Sequence, residues 1–264
     1  MTNAQAIVDG DVSTAQPIIR KIGVADLKDA LAGGLADFNA MPTHLLFLCI
    51  IYPIVVLIAA RVYAGYEALP LVFPILAGYT MIGPLVATGM YELSRRRELG
   101  LDTSRARAFD VLRSPSIRAI ATLGAGLMVI YFAWLGAAWA IYVLNFGSAA
   151  PTSISGFVDQ VFTTSAGWTL IIVGSGVGFL FATVAFTLSV MSFPMLLDRD
   201  VGIVMAVQTS IRAVLANPIP MGMWGFIIAS SMFIGALLVF VGLAVVLPVI
   251  GHAAWHLYRK VVEY

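Results

Sequence analysis

Long apolar runs are the feature of this sequence that most constrains its fold. A helix that crosses the hydrocarbon core of a membrane needs about 20 mostly apolar residues. Four runs reach that length, and they extend approximately over His44–Tyr63, Leu69–Glu92, Arg118–Asn145 and Trp168–Leu197. Because 60% of the 264 residues are hydrophobic and 11% are charged, the sequence is far more apolar than an average soluble domain. It predicts an all-α fold, a polytopic membrane helical bundle.

A fifth apolar stretch, Met221–Tyr258, is longer than one crossing requires. As a single helix with a rise of about 1.5 Å per residue, it would exceed the hydrocarbon core of about 30 Å. A tight turn near Gly242 would divide it into two spans of minimal length, whereas Pro248 could instead kink one long helix. We therefore expect six transmembrane helices arranged as three hairpins, with five spans as the alternative.

The distribution of basic residues predicts which side each connection occupies, because short cytoplasmic loops carry an excess of Lys and Arg. The segment Asn145–Gly167 contains no basic residue, so it is predicted to be external. With six spans, both termini lie in the cytoplasm. The segment from the end of the second run to the start of the third is predicted to be cytoplasmic, because it contains Arg95, Arg96, Arg97, Arg105, Arg107, Arg113 and, as the first residue of the third run, Arg118.

The first residues of the chain lack the basic region and apolar core of a signal peptide. We predict that residues 1–22 form a flexible cytoplasmic tail and that residues 23–264 form a single membrane domain. The near-neutral net charge of +1 gives no indication of a nucleic-acid partner.

A threefold pattern accompanies the three predicted hairpins. A moderately amphipathic stretch precedes each hairpin and ends at Pro42, Pro115 or Pro218. Each stretch is typical of an interfacial amphipathic helix that its proline ends. The returning helix of each hairpin carries a further proline near its cytoplasmic end, and these are Pro84, Pro194 and Pro248. The chain is therefore predicted to repeat one unit three times, an interfacial helix followed by a helical hairpin.

A polar segment follows each of the second set of prolines: Tyr91–Gly100, Leu196–Asp200 and Gly251–Lys260. On the predicted topology all three lie at the cytoplasmic membrane face, where they could converge on one site. Alternatively, they only fix the orientation of the chain and contact anionic lipids. The candidate cytoplasmic-face polar cluster consists of Glu92, Arg95, Arg96, Arg97, Asp198, Arg199, His252, His256 and Arg259.

The pair His252 and His256 invites comparison with a metal or haem site. Histidines four residues apart share one helix face, but no carboxylate or thiolate ligands at metal-binding spacing support them. The favoured interpretation is a helix end with interfacial side chains, and neither a metal nor a cofactor is predicted. In the alternative, two of His44, His252 and His256 would be the axial ligands of a haem.

Small residues inside two runs predict close helix packing. Gly174, Gly178 and Ala182 recur at every fourth position, a spacing that brings helices together in lipid. Their surroundings lack the spacing of a nucleotide-binding glycine loop. Gly83 and Pro84 are interpreted in the same way as a packing notch, with a hinge as the alternative.

Several classes of protein are disfavoured by what the sequence lacks. The apolar cores contain no ionisable residues of the kind that ion-coupled carriers use. None of the hydrolase, zinc-protease or nucleotide-binding motifs that we sought occurs, so we assign no catalytic residue and favour a non-enzymatic protein. Cys49 is the single cysteine, which excludes a disulfide or a paired-cysteine metal site within the chain.

Five segments together resemble a family of bacterial integral membrane proteins catalogued as domain of unknown function 2189. They are "DFNAMP" (37–42), "GPLVATGMYELSRRRELG" (83–100), "PMLLDRD" (194–200), "SIRAVLANP" (210–218) and "GHAAWHLYRK" (251–260). The resemblance extends over nearly the whole chain from about Val24. It implies a multi-pass protein of the bacterial inner membrane.

Some members of that family carry a label as a cytochrome c oxidase subunit. With three histidines in total, this chain lacks the six metal-binding histidines of the catalytic subunit of a haem–copper oxidase. The resemblance instead implies a non-catalytic accessory or assembly protein of a respiratory complex, with membrane lipids and respiratory-complex subunits as partners. A transporter or lipid-handling protein for small molecules or lipids is the alternative.

Overall fold

The computed structural model describes residues 16–41, 43–238 and 240–264. For eight residues within its helices, the structure describes the backbone but not the side chain. They are His44, Leu45, Leu46, Leu48, Cys49, Ile50, Pro53 and Tyr79. Apart from two short strands, the regular structure of the described residues is helical, so the predicted all-α class is confirmed.

The helices follow one another along the chain with short connections. Two 3₁₀ helices, Tyr66–Ala68 and Arg105–Arg113, lie among the α-helices. The α-helices are α1 (Val24–Ala40), α2 (His44–Ala64), α3 (Leu69–Val86), α4 (Thr88–Glu98), α5 (Ile117–Phe146), α6 (Ile154–Thr163), α7 (Ser165–Ser189), α8 (Ser192–Asp198), α9 (Gly202–Ala216), α10 (Pro218–Leu237) and α11 (Leu243–Val261).

Three helices in the described part of the chain are long and apolar enough to cross a membrane. They are α5, the nearly continuous helix that α7 and α8 form over Ser165–Asp198, and α10. A fourth candidate is the pair Ile54–Ala64 and Tyr66–Gly78, which bends by 119° at its break. The structure therefore contains three or four candidate spans, and the predicted six spans and three hairpins are not confirmed.

The two arms of the first predicted hairpin pack against different helices. The described contacts of α2 are mainly with α11, whereas α3 packs against α5 and α7. Pro70 in the first turn starts α3, since a proline there loses no helical hydrogen bond. A 119° bend directs the arms to separate neighbours, so hydropathy alone did not predict their arrangement.

The stretch Met221–Tyr258 is not one helix. Helix α10 ends at Leu237 and α11 begins at Leu243, and between them Phe240 has a φ of 63°. A Cβ added to Gly242 would lie 2.8 Å from the Cα of Gly235, so the two helices approach closely beside this turn. Pro248, which the five-span alternative treats as the kink of one long helix, lies inside α11.

Trp134 of α5 fills the space between α3 and α7. A Cβ added to Gly78 would lie 2.9 Å from its ring, and one added to Gly178 would also lie 2.9 Å from it. The indole nitrogen of Trp134 donates a hydrogen bond of 3.0 Å to the carbonyl oxygen of Pro74. Glycines on both neighbouring helices thus make room for one large side chain.

The small residues predicted to pack helices differ in their surroundings. Gly178 contacts Trp134, and Ala182 packs against the main core. An added Cβ at Gly174 or Gly83 would meet no described atom within 4 Å, so no described part of the chain packs closely against these two positions. Pro84 lies inside α3, near its end. Among the described residues, Gly178 and Ala182 thus lie against other parts of the chain, and the packing role of Gly174 and Gly83 stays a prediction.

Helices also form in the three amphipathic stretches. The first is α1, the second contains the 3₁₀ helix Arg105–Arg113, and the third is α9. The face of α1 that contains Leu27, Ala30 and Gly34 is buried, and α11 is the main neighbour of this helix. This stretch therefore packs against another helix of the chain along much of its length.

The described ends of the chain meet. Strand β1 (Ile18–Ile19) pairs antiparallel with β2 (Val262–Glu263). The side chain of Asn217 accepts a 3.0 Å hydrogen bond from the Ile22 amide and donates another of 3.0 Å to the Arg20 carbonyl. Of the predicted tail, residues 1–15 lie outside the described residues, while residues 18–22 are held in this way. The predicted boundary between residues 22 and 23 stays a prediction.

Candidate functional site

The three polar segments predicted at the membrane face meet in the structure. They lie on α4, on α8 and on the second half of α11, and each of these elements contacts the other two. Pro84 precedes α4, Pro194 lies in α8 and Pro248 lies in α11. We call the assembly of their side chains the polar network: the nine predicted residues Glu92, Arg95, Arg96, Arg97, Asp198, Arg199, His252, His256 and Arg259, together with Asp37, Ser94, Glu98 and Tyr258.

Asp37, on α1, joins α1 to α4 and α11. Its side chain is nearly inaccessible to solvent. One carboxylate oxygen accepts a 2.6 Å hydrogen bond from Arg97, and the other lies 2.5 Å from the hydroxyl of Ser94 and 2.9 Å from Nε2 of His256. A buried carboxylate requires such partners, because removing an unpaired charge from water is costly.

Two glycines in the middle of α1 bring Asp37 to this position. A Cβ added to Gly34 would lie 2.6 Å from the backbone nitrogen of Ala253, and one added to Gly33 would lie 2.8 Å from the ring of His256. Helices α1 and α11 can therefore approach each other almost backbone to backbone. One turn later, Asp37 reaches the imidazole of His256.

The pKa of Asp37 is lowered from its ordinary value. Burial alone would raise it, but the hydrogen bonds from His256, Ser94 and Arg97, together with the electrostatic attraction of His256, favour the carboxylate. Asp37 is therefore ionised at neutral pH and acts as a hydrogen-bond acceptor.

His252 is completely buried behind Ser94. Its Nδ1 lies 2.8 Å from the Ser94 oxygen. Because Ser94 donates its hydroxyl proton to ionised Asp37, the hydrogen-bond pattern assigns a proton to Nδ1 of His252, which donates to Ser94. Its Nε2 has no hydrogen-bond partner among the described residues. Burial lowers the pKa of His252 to about 4, even though the Asp37 carboxylate favours the charged form.

Glu92 organises a second part of the network on α4. Its carboxylate is buried and accepts hydrogen bonds of 2.9 and 3.1 Å from Arg95 and one of 3.3 Å from Arg96. Arg96 extends further, to Asp110 at 3.3 Å and to the carbonyl oxygen of Asp102 at 2.7 Å. The loop that follows α4 is thus attached to the helix, and Glu92 and Arg96, four residues apart, form an ion pair on one helix face.

Asp198 connects the end of α8 to α11. It accepts a 2.9 Å hydrogen bond from the hydroxyl of Tyr258, and Arg259 lies 3.6 Å away. Arg259 also pairs with Glu98 of α4 at 3.0 Å, and Trp255 donates to the same carboxylate at 3.1 Å. Through these contacts α4, α8 and α11 are linked by charged groups as well as by apolar packing.

Two clefts open between the elements of the network. The larger measures about 480 Å³ and contains Asp37, Arg97, Glu98, His256 and Arg259 in its wall. The smaller measures about 360 Å³. The smaller cleft is lined by Glu92, Arg95, Arg96, Asp110, Arg113, Ser114, Pro115, Ser116, Leu197, Asp198, Arg199 and Asp200.

The arginines at the rim of the smaller cleft are loosely held. Arg113 lies 3.7 Å from Asp110, and its side chain is 83% exposed. Arg199 lies 3.9 Å from Asp198, and its guanidinium stacks 3.8 Å from the centre of the Tyr264 ring. The cleft carries as many carboxylates as guanidinium groups, so its net charge does not select an anion.

In each of the two candidate haem ligands of the network, one ring nitrogen is engaged by another group, while Nε2 of His252 has no described hydrogen-bond partner. Nδ1 of His252 faces Ser94 and Nε2 of His256 faces Asp37, so an iron bond from either atom would replace a hydrogen bond of the network. The side chain of His44 lies outside the described residues. No group of three or more His, Cys, Asp or Glu side chains that could hold a metal ion occurs in the described part of the chain.

The arrangement of Ser94 beside His252 and Asp37 has the residue types of a nucleophilic triad, but its geometry is that of a structural contact. Ser94 is almost fully buried, and its hydroxyl is directed to the carboxylate of Asp37. In a serine triad, the nucleophile faces the substrate and donates its proton to the histidine. The charges and polar groups here join helices.

Sequence reasoning missed four members of the network: Asp37, Ser94, Glu98 and Tyr258. For Asp37 a signal was present, since Leu27, Ala30, Gly34 and Asp37 recur at the spacing of one helix face. A carboxylate on an otherwise small and apolar stripe indicates a buried partner. The other three were visible only as parts of polar or aromatic segments, because their partners lie more than 50 residues away in sequence.

Comparison with protein families gives one match. Residues 72–198 match the family described as "Predicted integral membrane protein (DUF2189)". This region contains α4 and α8 with their polar residues, and it ends before α9, α10 and α11. No curated protein matches the chain, and no solved structure matches it.

Proposed function

We propose a function from the premise that the chain belongs, over residues 72–198, to the predicted integral membrane protein family DUF2189. In this proposal the protein is a non-catalytic component of a bacterial inner membrane that binds other membrane proteins. It is an accessory or assembly protein of a respiratory complex such as cytochrome c oxidase. The label that some family members carry names the partner to test first.

The observation that supports this role is the contrast between the end and the sides of the molecule. One end of the molecule holds the polar network, and we call it the polar end. There, the buried carboxylates of Asp37 and Glu92 are both paired with cations of the same chain. Along the sides, the candidate spans are largely uncovered by the chain. Only 6% of the most apolar part of Ser165–Asp198 is buried, and only 17% of the most apolar part of Pro218–Leu237. The apolar sides are therefore the surfaces that we propose for contacts with other membrane proteins.

The proposed topology has six crossings and both termini in the cytoplasm. It requires α2 and α3 to cross separately and the apolar first half of α11 to enter the membrane. The pairing of β1 with β2 supports a common side for the two ends. The excess of arginine around α4 supports the cytoplasm as that side.

Site-specific photo-crosslinking in native membranes tests the partner role. A photoreactive residue in place of Phe179, which is 71% exposed on α7, should give a crosslink to a respiratory-complex subunit that mass spectrometry identifies. The matched control replaces Phe193 of α8, which is fully buried, and should give crosslinks only within the chain. Crosslinks from Phe179 to lipid alone would contradict the proposal, and so would crosslinks to membrane proteins outside respiratory complexes.

The smaller cleft favours a second candidate function, the handling of lipids or small molecules. Its loosely held rim residues Arg113 and Arg199 could bind an anionic headgroup where the polar end meets the membrane. Quantification of co-purified anionic lipid tests this function. The double variant Arg113→Gln/Arg199→Gln should retain less lipid than a control double variant at Arg20 and Arg61, which are exposed outside the cleft. Equal retention would remove this candidate.

A further inference from the structure

Helix α6 has an apolar face of which only half is covered by the chain. With 100° per residue, Ile154, Phe157, Val158, Val161 and Phe162 occupy one arc of the helix. Ser155, Gly156, Asp159, Gln160 and Thr163 occupy the opposite arc. A ten-residue helix with this division is amphipathic throughout its length.

The covered half of the apolar face packs on the end of α5. Phe157 lies 6.1 Å from Tyr142 and 6.2 Å from Phe146, measured between ring centres, and Tyr142 stacks on Phe146 at 5.4 Å. The other half is open. Ile154 is 50% exposed, Val158 is 46% exposed and Phe162 is 60% exposed.

The position of α6 in the chain indicates what covers the open half. The helix connects the candidate spans α5 and α7. A tight turn holds it against α7, since a Cβ added to Gly167 would lie 2.2 Å from the carbonyl oxygen of Val161. Helix α6 therefore lies at the edge of the membrane wherever α5 and α7 cross it.

The aromatic residues around α6 specify its depth. Trp139 and Tyr142 near the end of α5 and Trp168 near the start of α7 are the residue types that concentrate at headgroup level. Helix α5 extends about 45 Å at 1.5 Å per residue, which exceeds a hydrocarbon core of about 30 Å. Its start lies at the smaller cleft beside the polar network, where Ser116 donates a hydrogen bond to Asp200. Its end, with α6, therefore reaches the opposite interface.

We propose that the open stripe of Ile154, Val158 and Phe162 lies in the lipid of the membrane–water interface on the side opposite the polar network. The apolar side chains enter the boundary of the acyl chains, and Asp159 faces water. The stripe continues the lipid-facing surface of α5, where Leu144 is 85% exposed, and of α7, where Ile172 is 66% exposed. The connection thereby sets how deep α5 and α7 sit.

Spin-label accessibility in liposomes tests this placement. The full chain with Cys49→Ser carries one nitroxide at Val158→Cys or, as the matched control on the polar arc, at Asp159→Cys. We expect the ratio of oxygen to nickel-chelate accessibility to be several-fold higher at position 158 than at position 159. Equal and high nickel accessibility at both positions would overturn the proposal, because the stripe would then face water. Low accessibility to both reagents at position 158 would also overturn it, because protein would then cover the stripe.

A second measurement uses the unmodified chain, in case the Cys49→Ser background is not stable. A lipid with a photoactivatable group close to its headgroup should label the peptide that contains residues 154–163, and Val158→Asp should reduce that labelling several-fold. Absence of label on this peptide, with label present on α5 and α7, would overturn the proposal. Both tests require only that α5 and α7 cross the membrane, so their results do not depend on which partner the protein binds.

Discussion

Among the single residues, Asp37 links three helices of the polar network. Its carboxylate has partners on two other helices, Arg97 and Ser94 on α4 and His256 on α11. Hydrogen bonds to a charged group contribute more than neutral ones, particularly where water is excluded. One buried side chain therefore coordinates three elements that are far apart in sequence.

Removal of the charge of Asp37 is expected to weaken this end of the molecule. Asp37→Asn removes the negative charge that accepts hydrogen bonds from Arg97, Ser94 and His256. Because Arg97 is partly exposed and its charge stays hydrated, we expect the free energy of unfolding to fall by about 2 kcal/mol. The matched control is Asp29→Asn on the same helix, where an exposed carboxylate pairs with Lys260 and the loss should be no more than about 0.5 kcal/mol. Unfolding in detergent measures both variants. Equal stability of the two would show that Asp37 is not the centre of the network.

The buried histidine predicts how stability depends on pH. The pKa of His252 falls from 6.5 to about 4 on folding because of burial. The unfolded chain therefore binds a proton at a pH at which the folded chain does not. Stability is fully present above pH 6.5 and declines as the pH falls towards 4, by about 2 kcal/mol at pH 5.

Unfolding curves between pH 7 and pH 4.5 measure this dependence. The groups that face His252 include Asp37, His256 and Arg97, and Asp37, whose pKa is also lowered, adds its own loss at lower pH. The variant His252→Gln removes the titrating group and should make the curve shallower in this range. An unchanged slope in that variant would assign the pH dependence to another residue.

At the scale of helices, close approach depends on a few glycines at specific positions. Gly34 allows α1 to lie against the backbone of α11, while Gly83 in α3 faces open space among the described residues. Both are glycines inside helices, Gly34 in the amphipathic α1 and Gly83 in the apolar α3, and neither segment indicates how close a neighbour lies. What distinguishes them is the neighbour that each position faces after folding.

The substitutions Gly34→Ala and Gly83→Ala are expected to have opposite effects. The new Cβ at position 34 would lie 2.6 Å from backbone atoms of α11, which cannot move aside without shifting the helix. We expect α1 to separate from α11 and its amides to exchange with solvent faster. At position 83, alanine should leave stability unchanged or raise it by up to about 1 kcal/mol, because alanine favours the helical backbone. Hydrogen exchange and thermal unfolding measure both, and protected α1 amides in Gly34→Ala would contradict the packing.

Comparison of the sequence with the structure shows which features local patterns determine. The apolar runs predicted helices correctly. A segment that is buried in lipid or protein must form the hydrogen bonds of its backbone N–H and C=O groups within itself, and a helix does so. The convergence of α4, α8 and α11 could be proposed because each follows or contains a proline near a polar segment. The partner of Tyr258 could not be predicted, because the contact with Asp198 depends on how two distant helices cross. The same applies to the 119° bend between α2 and α3.

At the scale of the whole molecule, one end is polar and holds both described chain termini, and the sides are apolar. Residues 18 and 263 face each other across a two-stranded pairing. The start of α5 also lies at this end, where Ser116 contacts Asp200. A membrane protein with this distribution of charge has a defined orientation in the bilayer.

Cysteine labelling in intact cells is expected to show this orientation. In the Cys49→Ser background, Ile18→Cys and Glu263→Cys should react only after the membrane is permeabilised, because the excess of arginine predicts that both lie on the cytoplasmic side. Ser148→Cys, in the segment without basic residues after α5, should react with an impermeant reagent from outside. Opposite accessibility of positions 18 and 263 would contradict the shared location of the two ends.

We propose that this protein binds a respiratory-complex protein through the apolar sides of its spans, while the polar network holds the helices together. Native mass spectrometry of the tagged chain, released from its own membranes in a mild detergent, is the decisive test of this claim. We predict a species heavier than the 28.2 kDa chain that contains a respiratory-complex polypeptide and persists in Asp29→Asn. A chain that is released only as a free species with bound lipid would contradict the claim.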